Sequence, residues 1–191
     1  GLLTSQLQRT FPSDGLYLND LVEELCYHAA TVNHVPLKHC FPGDVEKLFL
    51  PLSFDLIASA STFQWFTTPE ETFKKLSKRL EQRGVLVFST LGKFNLREIR
   101  LTTGGGLDYR NKEELEKMLK PYFEIELIEE EFHMLEFDTP LAVLQHLKKT
   151  GLNVSGDSTI WTKGRVDAFI KDYNARFAID GKVALTYHPL Y

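Results

Sequence analysis

The sequence has few cysteines and no long uncharged apolar stretch, and both features narrow the class of protein it encodes. Only two cysteines, Cys26 and Cys40, occur among 191 residues, so a fold held by disulfide bonds is not expected. No uncharged apolar run approaches the roughly 18 residues of a membrane span. The first residues carry neither the basic region nor the apolar core of a signal peptide. These absences predict a cytoplasmic protein.

Several motifs of catalysis and binding are also missing. There is no Gly-x-Ser-x-Gly nucleophile elbow and no phosphate-binding loop with Gly-Lys-Thr. His34, His39 and Cys40 are too loosely spaced for a metal site. The 22 basic and 26 acidic side chains give a net charge of −4, which disfavours nucleic-acid binding. The sequence therefore predicts no metal centre and no nucleic-acid partner.

Short apolar runs alternate with amphipathic ones, and this pattern is typical of an α/β fold with a parallel sheet. The apolar runs predict strands at residues 16–19, 35–41, 54–60, 85–90, 123–137 and 183–187. The amphipathic runs predict helices at residues 21–30, 69–82, 111–119, 139–150 and 162–177. The strand at 85–90 is expected to be buried on both faces. Thr68 is expected to cap the helix at 69–82. Residues 92–110 are expected to be irregular.

The length fits one domain, residues 1–191, with a helical insertion at about 139–177 before the last strand. Open α/β sheets bind ligands beyond the carboxyl ends of their strands. A helical block inserted between the closing strands is placed to cap that edge. We therefore expect the insertion to cover a ligand site.

Two acidic residues follow predicted strands, and each has two interpretations. Asp20 comes directly after the strand at 16–19, where a carboxylate can accept hydrogen bonds from both ribose hydroxyls of a nucleotide. It can equally cap the helix that begins at Leu21. Asp44 follows the next strand and can accept from an adenine amine, although its position alone favours a turn residue.

Small and flat side chains follow the strand at 54–60. Ser59 and Ala60 leave room for a ligand to approach the backbone, and Gln64 and Trp65 add an amide and a large aromatic face. Aromatic side chains usually belong to the core, so Trp65 is open to that interpretation too. Its polar neighbours at a strand end favour a ligand site.

Basic side chains outnumber acidic ones in two segments of an otherwise acidic chain, residues 92–110 and 138–176. The first contains Arg97 and Arg100, and the second contains Lys148 and Lys149. Such segments suit an anionic substrate or an acidic partner. Solvated helix faces are the alternative for any single lysine.

The order of these motifs points to a known family. Asp20 follows one strand, Gly43-Asp44 follows the next, and Phe-Asp-Leu-Ile stands at 54–57 before Arg-Gly-Val-Leu-Val-Phe-Ser-Thr at 83–90. This order resembles class I S-adenosylmethionine-dependent methyltransferases. Residues 64–66, 88–92, 95–100 and 144–151 more narrowly resemble the malonyl-acyl carrier protein O-methyltransferases of biotin synthesis. The resemblance covers nearly the whole chain.

The resemblance implies a Rossmann-like sheet of seven strands, the last antiparallel, with helices on both faces and a helical cap at about 139–177. It implies S-adenosylmethionine as the cofactor, with the ribose at the first acidic position, the adenine at the second and the methionine part beside the small residues. The implied cofactor-binding residues are Asp20, Leu21, Asp44, Val45, Ser59 and Ala60.

One family feature is almost absent from this sequence. The family's glycine-rich cofactor loop lies between the first strand and the first helix, and only Gly1 can be its last glycine. The first strand and the other glycines have no counterpart. We therefore expect Gly1 to contact the cofactor and the domain to be incomplete at its amino terminus.

The implied reaction is methyl transfer to the free carboxylate of a malonyl thioester. A carboxylic acid with a pKa near ~4 is already ionised at neutral pH, so no general base is required. We expect Arg100 to hold this carboxylate, because a guanidinium matches it bidentately, with Arg97 as second choice. Gln64 and Trp65 are expected to wall the reacting groups.

The implied partner is malonyl-acyl carrier protein, an acidic carrier that suits Lys148 and Lys149. Two alternatives stay open at this stage. One is a methyltransferase for another small acid or a quinone. The other is a methyltransferase-like binding module without activity.

Overall fold

A computed structural model describes residues 1–150 and 161–191 of the chain. Two compact units are present, one formed by Gly1–Phe88 with Pro121–Phe123 and the other by Ser89–Lys120 with Glu124–Tyr191. We call them unit 1 and unit 2. None of the helices in the described ranges has the length and apolar character needed to cross a bilayer.

Unit 1 contains three helices and the strands that pack against them. In chain order its elements are α1 (Leu2–Leu7), α2 (Glu23–Val32), β1 (Phe54–Ala60), α3 (Pro69–Ser77) and β2 (Leu80–Leu91), whose last residues belong to unit 2. Strand β1 neighbours β2 in one sheet. Short 3₁₀ turns lie at Ser13–Gly15, Leu37–His39 and Phe63–Trp65.

An aromatic cluster forms the centre of unit 1. Phe63 stacks on Phe73 at 5.1 Å and on Phe88 at 4.3 Å between ring centroids, and Phe123 meets Phe73 edge-on. Phe63 and Phe73 are buried. Rings of this size contribute much of the apolar burial that stabilises a small unit. The cluster fixes β2, α3 and the turn after β1 against one another.

Several predicted elements of unit 1 differ from the structure. The predicted strands at 16–19 and 35–41 reduce to one parallel bridge between Leu18 and Cys40, because residues 37–39 form a 3₁₀ turn. The helix expected over 69–82 ends at Ser77, and β2 begins at Leu80. Expected burial of β2 on both faces is wrong, since Val85 and Val87 are about half exposed.

Among its described residues, unit 2 contains four helices and the remaining strands. In chain order these are α4 (Arg97–Thr103), α5 (Lys112–Leu119), β3 (His133–Phe137), α6 (Pro140–Lys149), α7 (Lys163–Phe177), β4 (Ala178–Ile179), β5 (Lys182–Tyr187) and β6 (Pro189–Leu190). Strand β5 pairs antiparallel with β3 and with β4. The end of β2 pairs antiparallel with β6. Of the predicted strand at 123–137, only β3 and a bridge at Glu130 are present.

The hairpin between β4 and β5 follows directly from its turn residues. Asp180 and Gly181 both have positive φ, 50° and 79°, at the two central positions of the turn. That combination matches the twist of a two-residue hairpin, and Asp-Gly tolerates it. The single seven-stranded sheet implied by the family resemblance is not present in the described residues, whose strands form two three-stranded sheets, β1-β2-β6 and β3-β5-β4, with β5 antiparallel to both of its neighbours.

The core of unit 2 lies between its helices and β5. Its buried members are Leu96, Ile99, Val143, Leu147, Phe169, Tyr173, Val183 and Leu185. Helices α6 and α7, both from the predicted cap, supply the apolar faces of this core, and Thr139 and Thr162 cap them by accepting from backbone N–H groups. The residues of the predicted cap at 151–160, and Gly151 of the family stretch, lie outside the described residues.

Helix α4 lies in a segment for which the sequence predicted irregular structure. Leu96 and Ile99 point into the core, and between them the Glu98 side chain is only 1% exposed. The Glu98 carboxylate accepts from the Thr186 N–H at 2.9 Å and the Thr186 hydroxyl at 2.6 Å. The helix thus depends on a partner 88 residues away, which local patterning does not reveal.

Candidate active site

Asp20 lies in unit 1, directly after the bridge between Leu18 and Cys40. Its Oδ1 accepts from the Val22 N–H at 2.9 Å, and its backbone carbonyl accepts from the Gly43 N–H at 2.8 Å. Its Oδ2 has no hydrogen-bond partner within the described ranges. Asp20 therefore orders the turn before α2 and keeps one acceptor oxygen available. Neighbouring Leu21 is exposed.

The structure brings the Asp20 segment and the Asp44 segment together. Besides the Gly43 bond, Asn19 donates through Nδ2 to the carbonyls of Phe41 at 2.6 Å and Gly43 at 2.9 Å. The two segments run parallel at the Leu18–Cys40 bridge. Both predicted nucleotide acids thus lie on neighbouring segments of unit 1.

Asp44 begins a turn that its own side chain stabilises. Oδ1 accepts from the Glu46 N–H at 2.9 Å, and Oδ2 forms an ion pair with Lys47 Nζ at 3.0 Å. The hydrogen bond from Lys47 lowers the pKa of Asp44, helped by the Glu46 N–H. The turn interpretation of Asp44 is therefore confirmed. Asp44 and Val45 both remain partly exposed, so a ligand role is compatible with it.

The end of β1 carries the small and aromatic residues predicted there. Ser59 is half-buried, Ala60 is exposed, and Gln64 donates through Nε2 to the Ser61 carbonyl at 2.6 Å. Trp65 is 56% exposed, while Phe63 takes the core position of this turn. A core role for Trp65 is thus excluded, and its indole face is available at the end of the strand.

Gly1 is the residue before α1 and is exposed. Its carbonyl accepts from the Ser5 N–H at 3.2 Å, the first bond of that helix. No side chain at this position would meet a heavy atom within 4 Å. Its cofactor role stays a prediction.

The two candidate arginines lie in or beside α4 of unit 2 and differ in their partners. Arg97 donates through Nε to the buried Glu98 carboxylate at 3.1 Å. Arg100 donates through Nη1 to the Lys93 carbonyl at 2.6 Å and lies 5.7 Å from the Tyr109 ring centroid. Within residues 1–150 and 161–191, Arg100 has no acidic partner. Of the two, Arg100 has the charge that is free for an anion.

Unit 2 contains further polar side chains, of which Tyr109 lies beside Arg100. Tyr109 is buried, and burial raises its pKa while the nearby Asn95 amide and Arg100 lower it. Asn95 is fully buried, and its Nδ2 makes no hydrogen bond of normal geometry with any described residue. His146 Nε2 lies 2.9 Å from the Tyr187 hydroxyl. Lys148 and Lys149, at the end of α6, are exposed.

Sequence reasoning missed Glu46 and Glu98, the two carboxylates that accept the most hydrogen bonds from other segments. Glu46 stands two residues after the turn residue Asp44, and its partners precede a helix that begins with proline. A carboxylate near a turn and a Thr-Thr-Pro run are weak sequence signals, because neither indicates that the two segments contact each other.

No group of three or more metal-ligating side chains occurs in the described part of the chain.

Comparison with known proteins identifies the class of protein to which this fold belongs. Residues 1–88 match the methyltransferase domain family. The YcgJ protein of Bacillus subtilis has the same fold, with a TM-score of 0.57 at 14% identity, over 90% of this chain and 79% of that one. The plantazolicin methyltransferase BpumL, solved with S-adenosylhomocysteine, gives a TM-score of 0.50 at 15% identity, over 100% and 72%. The fold is a Rossmann-like methyltransferase fold.

Sequence relatives identify the family within that class. The chain is 40% identical over 200 residues to a malonyl-[acyl-carrier protein] O-methyltransferase of Bacteroides thetaiotaomicron, covering 100% of this chain and 77% of the relative. The Haemophilus influenzae enzyme of the same name is 38% identical, covered to 73%. The Bacteroides fragilis relative is 39% identical, and the chain spans 39% of its length. The chain belongs to the malonyl-[acyl-carrier protein] O-methyltransferase family.

Proposed function

We propose that this protein transfers a methyl group from S-adenosylmethionine to the free carboxylate of malonyl-acyl carrier protein, early in biotin synthesis. The observation that carries the proposal is the 40% identity to a malonyl-[acyl-carrier protein] O-methyltransferase over the whole chain. The geometry of both units is compatible with it. As a family member the chain is one methyltransferase domain, with the block at about 139–177 as a cap for the acyl substrate.

The described residues fit the cofactor. Ribose hydroxyls are hydrogen-bond donors, and Asp20 keeps its Oδ2 as an acceptor. The turn of Asp44 and Val45 is held beside it through the bond between Gly43 and Asp20. Small side chains at Ser59 and Ala60 admit a ligand close to the backbone. When bound, S-adenosylmethionine supplies a sulfonium methyl group, which the carboxylate oxygen takes as the carbon–sulfur bond breaks.

Arg100 is our choice for the residue that holds the substrate carboxylate. Its guanidinium is positioned by the Lys93 carbonyl and has no acidic partner among the described residues. A carboxylate loses water when it enters a site, and a charge-assisted pair offsets that loss. Since the acid is already ionised, the protein has only to orient it and exclude water. For Gln64 and Trp65 of unit 1, the role of a wall beside the reacting groups is proposed from the family resemblance alone.

The test of Arg100 compares two arginines of one segment. Arg100→Ala should raise KM for malonyl-acyl carrier protein by about 10- to 100-fold, the effect of losing one charged hydrogen-bonded pair, and leave S-adenosylmethionine affinity unchanged. Arg110→Ala, on an exposed side chain, is the matched control. Steady-state kinetics and calorimetry give both values. Unchanged malonyl kinetics in Arg100→Ala would refute the assignment.

The exposed lysines at the end of α6 are proposed to meet the acidic carrier. Replacing Lys148 and Lys149 with Glu should weaken use of the carrier-bound substrate about 10-fold at low salt, with a smaller effect at 0.5 M salt because screening shortens the range of the charges. Free malonyl thioesters without a carrier protein should react equally well with both forms. A loss that is independent of salt would contradict the docking role.

We also propose that the enzyme works in the cytoplasm.

A further inference from the structure

Glu46 makes more side-chain hydrogen bonds than its position in a turn would suggest. Its Oε2 accepts from the Thr67 N–H at 2.9 Å and the Thr67 hydroxyl at 3.0 Å. Its Oε1 accepts from the Thr68 N–H at 2.6 Å and the Thr68 hydroxyl at 2.8 Å. All four bonds join residues that lie 21 or 22 positions apart in the chain. One carboxylate thus ties the loop at 44–48 to the segment at 61–68.

Both segments carry predicted ligand residues of unit 1. Asp44 and Val45 precede Glu46 directly, and the backbone N–H of Glu46 holds the Asp44 carboxylate. Gln64 and Trp65 lie just before Thr67, in the turn that follows β1. The relative position of the two segments therefore depends on Glu46.

A lysine on α3 forms a second tie to the same loop. Lys75 donates through Nζ to the carbonyls of Val45 and Leu48, the latter at 3.2 Å. Burial lowers the pKa of Lys75, as expected for a cation inserted under a loop. Helix α3 starts at Pro69, so the residues bonded by Glu46 are the last two before this helix. An anion at that end is favoured by the helix dipole.

The charge of Glu46 is part of the arrangement. Desolvation raises the pKa of its carboxyl, but the hydrogen bonds from the N–H groups and hydroxyls of Thr67 and Thr68 outweigh that effect and hold the pKa at about 2. The group is therefore ionised wherever an enzyme of this kind works. An ionised carboxylate offers acceptors only, and the two N–H groups facing it are donors only.

We propose that Glu46 is a positioning residue, which holds the Asp44–Val45 turn and the Gln64–Trp65 turn in register so that S-adenosylmethionine meets a preformed site. This inference rests on the proposed function, since it takes the Asp44–Val45 turn as a cofactor contact and the Gln64–Trp65 turn as the wall beside the reacting methyl group. A preformed site spares the ligand the entropy cost of ordering two loops. Loss of Glu46 should thus appear in cofactor affinity before it appears in the chemistry.

The test exchanges the carboxylate for an amide of the same shape. Glu46→Gln keeps one acceptor oxygen but turns an NH₂ toward the backbone N–H of Thr67 or Thr68, so one backbone donor faces a donor, while the hydroxyl of the same threonine can rotate to accept from the NH₂. We expect the Kd and KM for S-adenosylmethionine to rise about 10-fold, the effect of losing one charge-assisted tie. KM for the carrier substrate should change less, and kcat at saturating cofactor should stay within about threefold. Thr67→Val and Thr68→Val remove only the hydroxyl donors and should give smaller increases.

Two controls separate positioning from general stability. Glu70→Gln neutralises an exposed carboxylate in the first turn of α3 and should leave both constants unchanged. Val35→Ala removes buried volume elsewhere in unit 1 and should lower stability without changing cofactor affinity at 15 °C.

Calorimetry with S-adenosylmethionine on the purified protein gives Kd, and urea unfolding gives stability. Glu46→Gln with wild-type affinity, or a loss no larger than in Val35→Ala at equal stability, would overturn the inference. Failure of the wild-type protein to bind S-adenosylmethionine would instead refute the proposed function, so the two failures are distinguishable.

Discussion

Removal of the buried Glu98 carboxylate should destabilise unit 2 strongly. Glu98 is 1% exposed, and Thr186, which donates to it twice, is 4% exposed. In Glu98→Ala the Thr186 N–H and hydroxyl lose their acceptor in a site that water does not reach. Each unpaired buried donor costs about 1–3 kcal/mol, so for the two donors we expect a loss of about 2–6 kcal/mol in the free energy of unfolding. Against a typical total of about 5–15 kcal/mol this is a large fraction.

The assay uses the position of the tryptophans. The chain has 2 tryptophans, and Trp161 lies in unit 2, where its ring meets Phe169 edge-on at 5.5 Å. In a Trp65→Phe background, urea unfolding followed by fluorescence therefore reports on unit 2. Glu98→Gln keeps one acceptor oxygen and should cost less than Glu98→Ala.

A double-mutant cycle shows whether the two side chains act together. Thr186→Val alone removes one donor, and it should cost about 1 kcal/mol less in the Glu98→Ala background, where that donor is already unpaired. Additive effects, or a Glu98→Ala loss below about 0.5 kcal/mol, would refute the buried-carboxylate argument.

Two further predictions use close packing and thiol chemistry. Gly92→Ala should cost about 1–3 kcal/mol in the same unfolding assay, because its Cβ would lie 2.6 Å from the His188 ring. Gly164→Ala, in a helix with nothing within 4 Å of the added Cβ, should be neutral or slightly stabilising. Burial, and to a lesser degree Cys40, raises the pKa of Cys26 to about 11. In a Cys40→Ala variant, iodoacetamide at pH 9 should label Cys26 much more slowly in the native state than in urea. Equal labelling rates would contradict a buried, protonated thiol.

Elements whose signals are local could be predicted from the sequence. Helix α5 has a capping box in which Asn111 accepts from the Glu114 N–H and Glu114 accepts from the Asn111 N–H. Thr139 and Thr162 cap α6 and α7 in the same local manner. The observed bounds of these helices agree with the predicted bounds within a residue or two. Each helix begins at a cap residue whose side chain bonds to an N–H group only three residues further along the chain.

Elements that depend on distant partners could not be predicted. The sequence predicts that the Thr68 hydroxyl caps α3, but that hydroxyl donates to Glu46 and makes no cap bond. The Glu46 carboxylate, 22 positions away, instead accepts from the N–H and the hydroxyl of Thr68. The apolar run at residues 85–90 predicts a strand buried on both faces, but apolar residues alone do not determine how many faces of a strand are covered.

The buried Glu98 carboxylate distinguishes two neighbouring arginines, Arg97 and Arg100, because it pairs with only one of them. Both arginines lie on α4, three residues apart, and the sequence offers no reason to separate their side chains by chemistry. Burial of Glu98 does separate them, because a desolvated carboxylate requires donors on every side. Thr186 supplies two of these and Arg97 supplies a third. Arg97 is thereby committed to the fold. Arg100 donates to the neutral carbonyl of Lys93 and has no acidic partner among the described residues, which is why we propose it rather than Arg97 for the substrate carboxylate.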